Sequence, residues 1–249
     1  MKRIILTLFA FLSMAATARA MTYAQVAVGG PYELVLIITN KMERNTQFSL
    51  VLKTGNDQAW PGRVSLNGGP SQMYARMNFY YGARVTGKVV ITGDEEVRAG
   101  YLELNKIGDA SVTDLAISYF YVFRENNMVV DSTAVPDSAL SNRFLVPVER
   151  AQSCDTAFAW APYVSSSVPA SFDVTLTLYD NKGTVFATMV RRFEGHTALF
   201  FSQLFPNLPA SFVGHLRLEA QYQFYFVALR MDSCPGGPQY TVVNTQTSW

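Results

Sequence analysis

Asp173-Val-Thr-Leu-Thr-Leu-Tyr-Asp-Asn-Lys-Gly-Thr-Val-Phe186 decides the fold. Val174, Leu176 and Leu178 alternate with Asp173, Thr175, Thr177 and Tyr179, the period of a strand with one face buried. Asp180-Asn-Lys-Gly183 supplies what a tight turn needs, with Gly183 able to take positive φ. Further on, Gly214-His-Leu-Arg-Leu-Glu219 alternates again, and Tyr222 to Leu229 forms an aromatic-rich strand. The stretch from Asp155 to Met231 therefore reads as one antiparallel β-sandwich.

Upstream, the same plan recurs in looser form. Tyr32 to Thr39, Gln47 to Lys53, Lys88 to Thr92 and Val97 to Leu104 read as strands, with turn signals between them. Trp60 to Leu66 is interrupted by Pro61-Gly62 and reads as an edge strand or a bulge. Leu115 to Phe123 and Met128 to Val135 are the arms of a hairpin around Glu125-Asn-Asn127. Pro136 to Asn142 has the composition of a linker, giving domains at 21–140 and 141–249. No window carries a helical period; the best helical turn, Phe201 to Phe205, is stopped by Pro206 and Pro209. The expected class is all-β, with two tandem antiparallel sandwiches.

The two halves also align. Gln47-Phe-Ser-Leu-Val-Leu52 matches Ser171-Phe-Asp-Val-Thr-Leu176, and Leu66-Asn-Gly68 matches Phe193-Glu-Gly195. Thr86-Gly-Lys-Val-Val-Ile91 matches Val213-Gly-His-Leu-Arg-Leu218. Turn glycines kept in step with strands point to a duplication.

Residues 1–20 read as a secretory signal. Lys2 and Arg3 lead an apolar core, Ile4 to Ala16, and Ala18-Arg19-Ala20 offers a cleavage site after Ala20. Cleavage takes the formal charge from +1 (20 basic minus 19 acidic residues) to −2 (17 minus 19). Such a balance gives no electrostatic basis for nucleic acid or anionic lipid as a partner. No later run is long and apolar enough for a membrane helix, so the expected location is the periplasm, the cell surface or the medium. Cys154 and Cys234, flanking the second domain, read as a disulfide in that oxidising setting. A metal site at the pair would rest on Asp155 and Asp232 alone.

With both halves in view, the chain resembles a two-domain module of exported bacterial proteins, mostly uncharacterised, with immunoglobulin-like sandwiches. The residues that carry the resemblance are Leu36-Ile-Ile-Thr-Asn40, Asn67-Gly-Gly69, Tyr121-Val-Phe-Arg-Glu-Asn-Asn127 and Ala134-Val-Pro136. In the second half they are Gly195-His196, Leu204-Phe-Pro-Asn-Leu-Pro209, Phe212-Val-Gly214 and Ala228-Leu-Arg230. The resemblance implies extracytoplasmic sandwich domains and brings no catalytic residue.

Motifs for chemistry are few. The sequence has two histidines, and no His-x-x-x-His, Gly-x-Ser-x-Gly or phosphate-binding glycine loop. His215 falls on the outer face of its strand and His196 follows Gly195 at a turn, so both read as solvated. Asp94, Glu95 and Glu96 read as a hairpin end, with a Ca²⁺ site as the alternative. No catalytic, cofactor or metal residue is expected. The aromatics are more informative. Tyr119, Tyr121 and Phe123 share one strand face, and Tyr222, Phe224 and Phe226 oppose Tyr225 and Val227. One face of each strand is core; the other is an aromatic surface or is buried between the domains. Tyr119, Tyr121, Tyr222, Tyr225 and Trp60 are thus the candidate binding residues. The expected function is a non-catalytic structural or adhesive role, with a protein partner or self-association; the alternative is carbohydrate binding by exposed rings.

Overall fold

The computed structural model describes residues 21–55, 58–74, 76–107, 114–126, 128–135, 137–163, 165, 167–234, 237–243 and 247. The signal segment lies outside the described residues. The chain is all-β, and its strands pair antiparallel in three sheets.

The N-terminal half contains β1 (Met21–Val28), β2 (Tyr32–Asn40), β3 (Thr46–Thr54), β4 (Gln58–Ala59) and β5 (Val64–Leu66). It continues with β6 (Met77–Tyr81), β7 (Thr86–Gly93), β8 (Arg98–Ile107), β9 (Leu115–Glu125) and β10 (Met128–Val135). One sheet runs β1-β8-β3-β4 with β6 also on β3; the other runs β10-β9-β2-β7-β5. The period-two patterns turn one face of each sheet inward. Phe48, Leu50, Leu102 and Leu104 meet Leu34, Leu36, Ile38 and Ile91 in a common core. Each such side chain contributes roughly 1.5–3 kcal/mol on full burial. The run expected at Trp60 to Leu66 is split: Pro61-Gly62 leaves only β4 before it and β5 after it. Asn40, fully buried, ties the loops at one end of the sheets. Its Nδ2 donates to the carbonyls of Arg44 (2.7 Å) and Gly82 (2.8 Å), and its Oδ1 accepts from Met42 N–H (3.0 Å).

The C-terminal half is built from β11 (Ala139–Ala151), β12 (Cys154–Pro162), β13 (Phe172–Asp180), β14 (Val185–Phe193) and β15 (Thr197–Phe200). A single helical turn, α1 (Phe201–Leu204), leads to β16 (Phe212–Cys234) and β17 (Gly237–Val243). All its strands belong to one sheet of order β14-β13-β16-β11-β12-β15, with β17 added to β16. The β13–β14 turn forms as its sequence predicts. Asp180 Oδ1 accepts from the N–H groups of Lys182 and Thr184, both at 2.8 Å, and Gly183 has φ +79°.

The 23-residue strand β16 makes this one sheet into two leaves. Its first part lies between β13 and β11; its second part lies between β12 and β17. Against β11 the register jumps from Ser141↔Phe224 to Arg143↔Glu219, so Ala220 to Gln223 stand against Asn142 alone. A bulge of that size bends the strand and turns the sheet over itself. Phe144, Leu176, Leu178 and Leu218 of one leaf then close on Phe158, Trp160, Phe224 and Phe226 of the other.

Two expectations are corrected here. Residues 139–142 are not linker: β11 starts at Ala139, and Ser138 just before it is pinned to β1. Ala24 N–H donates to Ser138 Oγ (2.6 Å) and Ser138 N–H to the Thr22 carbonyl (2.9 Å). The aligned segments are also paired differently in the two halves. β3 and β7 lie in separate sheets, whereas their counterparts β13 and β16 are neighbours. Strand periodicity is local, but the choice of neighbour is not.

Candidate functional site

Of the two alternatives for the aromatic faces, surface or burial, the structure shows burial. Tyr119, Tyr121, Tyr225 and Trp60 are all buried, and Tyr222 is half-buried with its ring 5.5 Å from Phe172. The cause differs between the two strands: β9 turns Tyr119 and Tyr121 into its own core while Ala116 and Ser118 on its other face stay exposed, and β16 is covered on both faces. On β9, Tyr119 enters the N-terminal core, 4.8 Å from Tyr23, and its hydroxyl donates to the Gln25 carbonyl (3.1 Å). Burial pushes the hydroxyls of Tyr119 and Tyr23 well above the usual phenol range, the charge of Asp137 adding to the effect at Tyr23. On β16, Phe224, Phe226 and Ala228 enter the C-terminal core. Tyr225, Val227 and Leu229, on its other face, join Ala159 and Ala161 of β12 in packing against the N-terminal core. The second aromatic face of β16 is therefore glue between the halves, where β1 lies against β12 and β16.

His196 also belongs to this junction, not to solvent. It follows β14 at a turn, yet its main-chain N–H donates to the Gly55 carbonyl (2.8 Å) across the junction. Its ring bonds the Ala24 backbone and stacks on Tyr101, with centroids 6.1 Å apart. Nε2 is buried and has no hydrogen-bond partner among the described residues. Desolvation lowers the imidazole pKa to about 4, against a small opposing effect of the Ala24 bond. A proton added here is one the folded state resists and the unfolded chain accepts. Stability is thus complete above about pH 6.5 and falls with pH toward about 4, at no more than about 1.4 kcal/mol per pH unit. Urea titrations across that window will show this slope, and His196→Gln will flatten it. An unchanged slope in the variant would place the acid sensitivity elsewhere.

Between residues of the two halves the junction opens into a cleft of about 320 Å³. Five alanines, Ala27, Ala99, Ala157, Ala159 and Ala198, leave the space; Gln25, Gln203, Tyr32 and Tyr121 give its polar edge. Among the described residues, no carboxylate, lysine, arginine or histidine lines it, so these walls offer no acid–base pair with which to do chemistry.

The remaining candidates resolve as follows. Arg98 Nη1 bonds both carboxylate oxygens of Asp94 (2.7 and 2.8 Å) and its Nη2 bonds Glu96. Those bonds hold the Asp94 carboxyl below its ordinary value and occupy oxygens a Ca²⁺ ion would need. Among the described residues, no group of three His, Cys, Asp or Glu side chains is placed to hold a metal. Cys154 is buried at the start of β12, where desolvation and then the Glu149 charge raise its thiol pKa, with Arg230 opposing. β12 sets Cys154 opposite Asp232, two residues from Cys234, whose side chain lies outside the described residues together with the expected bond. His215 stacks on Tyr179, with centroids 4.7 Å apart.

The feature that sequence reading missed is an edge. β14 pairs with β13 on one side and, among the described residues, with no strand on the other. It runs for nine residues, with Val185 (54% exposed), Phe186 (48%) and Val190 (63%) open to solvent. The other edges are short or protected. β15 has four residues and runs into α1, and β4, β5 and β6 have two, three and five. β1 lies against β12 and β16, and β10 against β17. β11 carries Pro147, which has no N–H to give an added strand. Alternating apolar residues in β14 read as ordinary core pattern, and only the pairing shows that they have no cover.

No protein-family model and no curated protein matches this chain.

Proposed function

We propose that the chain is an exported, non-catalytic interaction protein of the cell envelope or extracellular space, made of two immunoglobulin-like units and binding protein by strand addition at β14. The observation that carries this reading is the β14 edge, nine residues long, with Val185, Phe186 and Val190 exposed and, among the described residues, no strand on its outer side. An extended partner segment would complete its free hydrogen bonds, and Val190 and Phe186 would supply apolar contact. The signal-like residues 1–20 and the resemblance to exported modules support the location. In that setting Cys154 and Cys234 form the clasp of the C-terminal half. Closing a loop of 80 residues contributes about 4 kcal/mol in the chain-entropy model. Two reactive thiols in the secreted protein would remove the clasp from this account.

A glycan module needs exposed rings to stack on sugars, and burial of Tyr119, Tyr121, Tyr225 and Trp60 favours a protein partner instead. Retention assays separate the two. The mature protein, immobilised, is expected to hold an envelope protein that Val190→Lys releases, and to pass over insoluble polysaccharides without delay. Retention on polysaccharide, unaffected by Val190→Lys, is the result that would overturn the reading.

A further inference from the structure

We infer that the occupant of the β14 edge is β14 of a second copy, added antiparallel about a twofold axis through Met189, so that the two C-terminal sheets become one. This rests on the strand-addition reading above and adds the identity of the partner. In a symmetric antiparallel pair, residue numbers on opposing positions have a constant even sum, because opposed side chains share a face and the twofold keeps each residue on its own face. The strand Val185-Phe-Ala-Thr-Met-Val-Arg-Arg-Phe193 can then be tested one register at a time.

An axis at Arg191 or Arg192 sets an arginine directly against itself, and an axis at Val190 leaves the two Arg191 side chains as diagonal neighbours. With the axis at Met189, every arginine meets an uncharged residue. Arg191 lies opposite Ala187 and the exposed Val190 opposite Thr188, while Arg192 falls opposite the bulge at Phe186. The two regular pairs are neutral cross-strand pairs. Arg192 reaches Ser171 Oγ (2.6 Å), just ahead of β13, and Asp173 (3.4 Å) on β13, so its charge is partly balanced within its own sheet.

The ladder available for this pairing is regular. From Ala187 to Phe193, β14 follows β13 residue for residue (Leu178↔Ala187 to Phe172↔Phe193), and the register shift falls between Val185 and Ala187, where Phe186 is the extra residue of a bulge. Ala187 and Met189 face the C-terminal core and are only partly covered by it. A second β14 would place its own Met189 and Ala187 alongside, closing the open flank of that core. The strand carries no acidic residue to attract its own arginines into a different register.

Sedimentation velocity of the mature chain over a wide concentration range is the test, read with hydrogen exchange. The expected result is a monomer–dimer equilibrium, with amide protection from Ala187 to Arg191 rising as dimer forms. Val190→Lys, a charge on the exposed edge, should weaken the dimer by about tenfold or more, and Val190→Thr should leave it within about threefold of the parent. Val97→Lys, exposed at 47% on the other half, serves as the surface control and leaves it unchanged. Because Val190 is mostly exposed, each variant keeps the thermal transition of the parent at concentrations where the parent is monomeric. A wild-type chain monomeric throughout, or a dimer indifferent to Val190→Lys, overturns self-pairing. If such a monomer still holds an envelope partner in a Val190-dependent way, only the second copy is wrong and the wider reading stands. If neither occurs, both fail.

Discussion

Replacing Phe226 with alanine lowers the unfolding free energy by about 3–5 kcal/mol. The ring is 1% exposed and sits where the folded sheet closes on itself. Its centroid lies 4.9 Å from that of Phe144, on β11, and 5.9 Å from that of Phe158, on β12. Truncation removes the transfer energy of the ring and leaves a cavity between two leaves that share backbone through β16. That shared backbone limits how far the leaves can collapse into the gap, so the cost falls toward the upper part of the range. Phe186→Ala, at an exposed ring in the same half, costs no more than about 1 kcal/mol. Urea denaturation of both variants checks the contrast. Equal losses for the two would mean that Phe226 is not where the leaves meet.

The second large effect is at a backbone position. Gly29, between β1 and β2, has φ +108°. A Cβ there would fall inside the van der Waals envelope of the Glu96 carbonyl and 3.0 Å from that of Asp94. Gly29→Ala meets two separate penalties, a left-handed conformation for an L side chain and a collision with main chain that cannot rotate away. Together these cost about 3 kcal/mol or more. Gly183 isolates the first penalty. It has φ +79°, and a Cβ added there would meet nothing within 4 Å, so Gly183→Ala costs about 1–2 kcal/mol. The difference between the two variants, read from chemical denaturation, measures how tightly the β1–β2 turn is seated on the β7–β8 turn. A Gly29→Ala variant no worse than Gly183→Ala would contradict that seating.

What the sequence shows, and where it stops, follows from the range of the forces involved. The β13–β14 hairpin is legible because alternation and an Asp-to-backbone turn are both local. The bend in β16 is not. Tyr222 to Leu229 is a near-continuous aromatic and apolar run with nothing in it to mark a bend, and the jump opposite Asn142 depends on a strand some 80 residues earlier in the chain. The aromatic strand β16 misleads for a related reason: a strand buried on both faces has no polar side to mark it, and here the second cover is the other half of the molecule. His196 reads as solvated because a glycine precedes it, yet its partners at Ala24 and Gly55 come from distant parts of the chain. Conversely, Val190 fits an ordinary core pattern and is the most exposed apolar residue of an open edge. Periodicity tells which residues share a face; it does not tell whether anything lies against that face.

The length of β16 has a consequence for the order of events as the chain emerges from a ribosome or a translocation pore. Residues 139–200 supply five strands, but the strand that joins β13 to β11 and lies beside β12 arrives only with Phe212 to Cys234. Until then the hairpin of β13 and β14 has local contacts, and the remaining strands wait with open edges. Vectorial synthesis thus keeps the C-terminal half unfinished until its last long strand is delivered. A chain cut short before Phe212 loses both leaves at once, and with them the surface on which the N-terminal half rests.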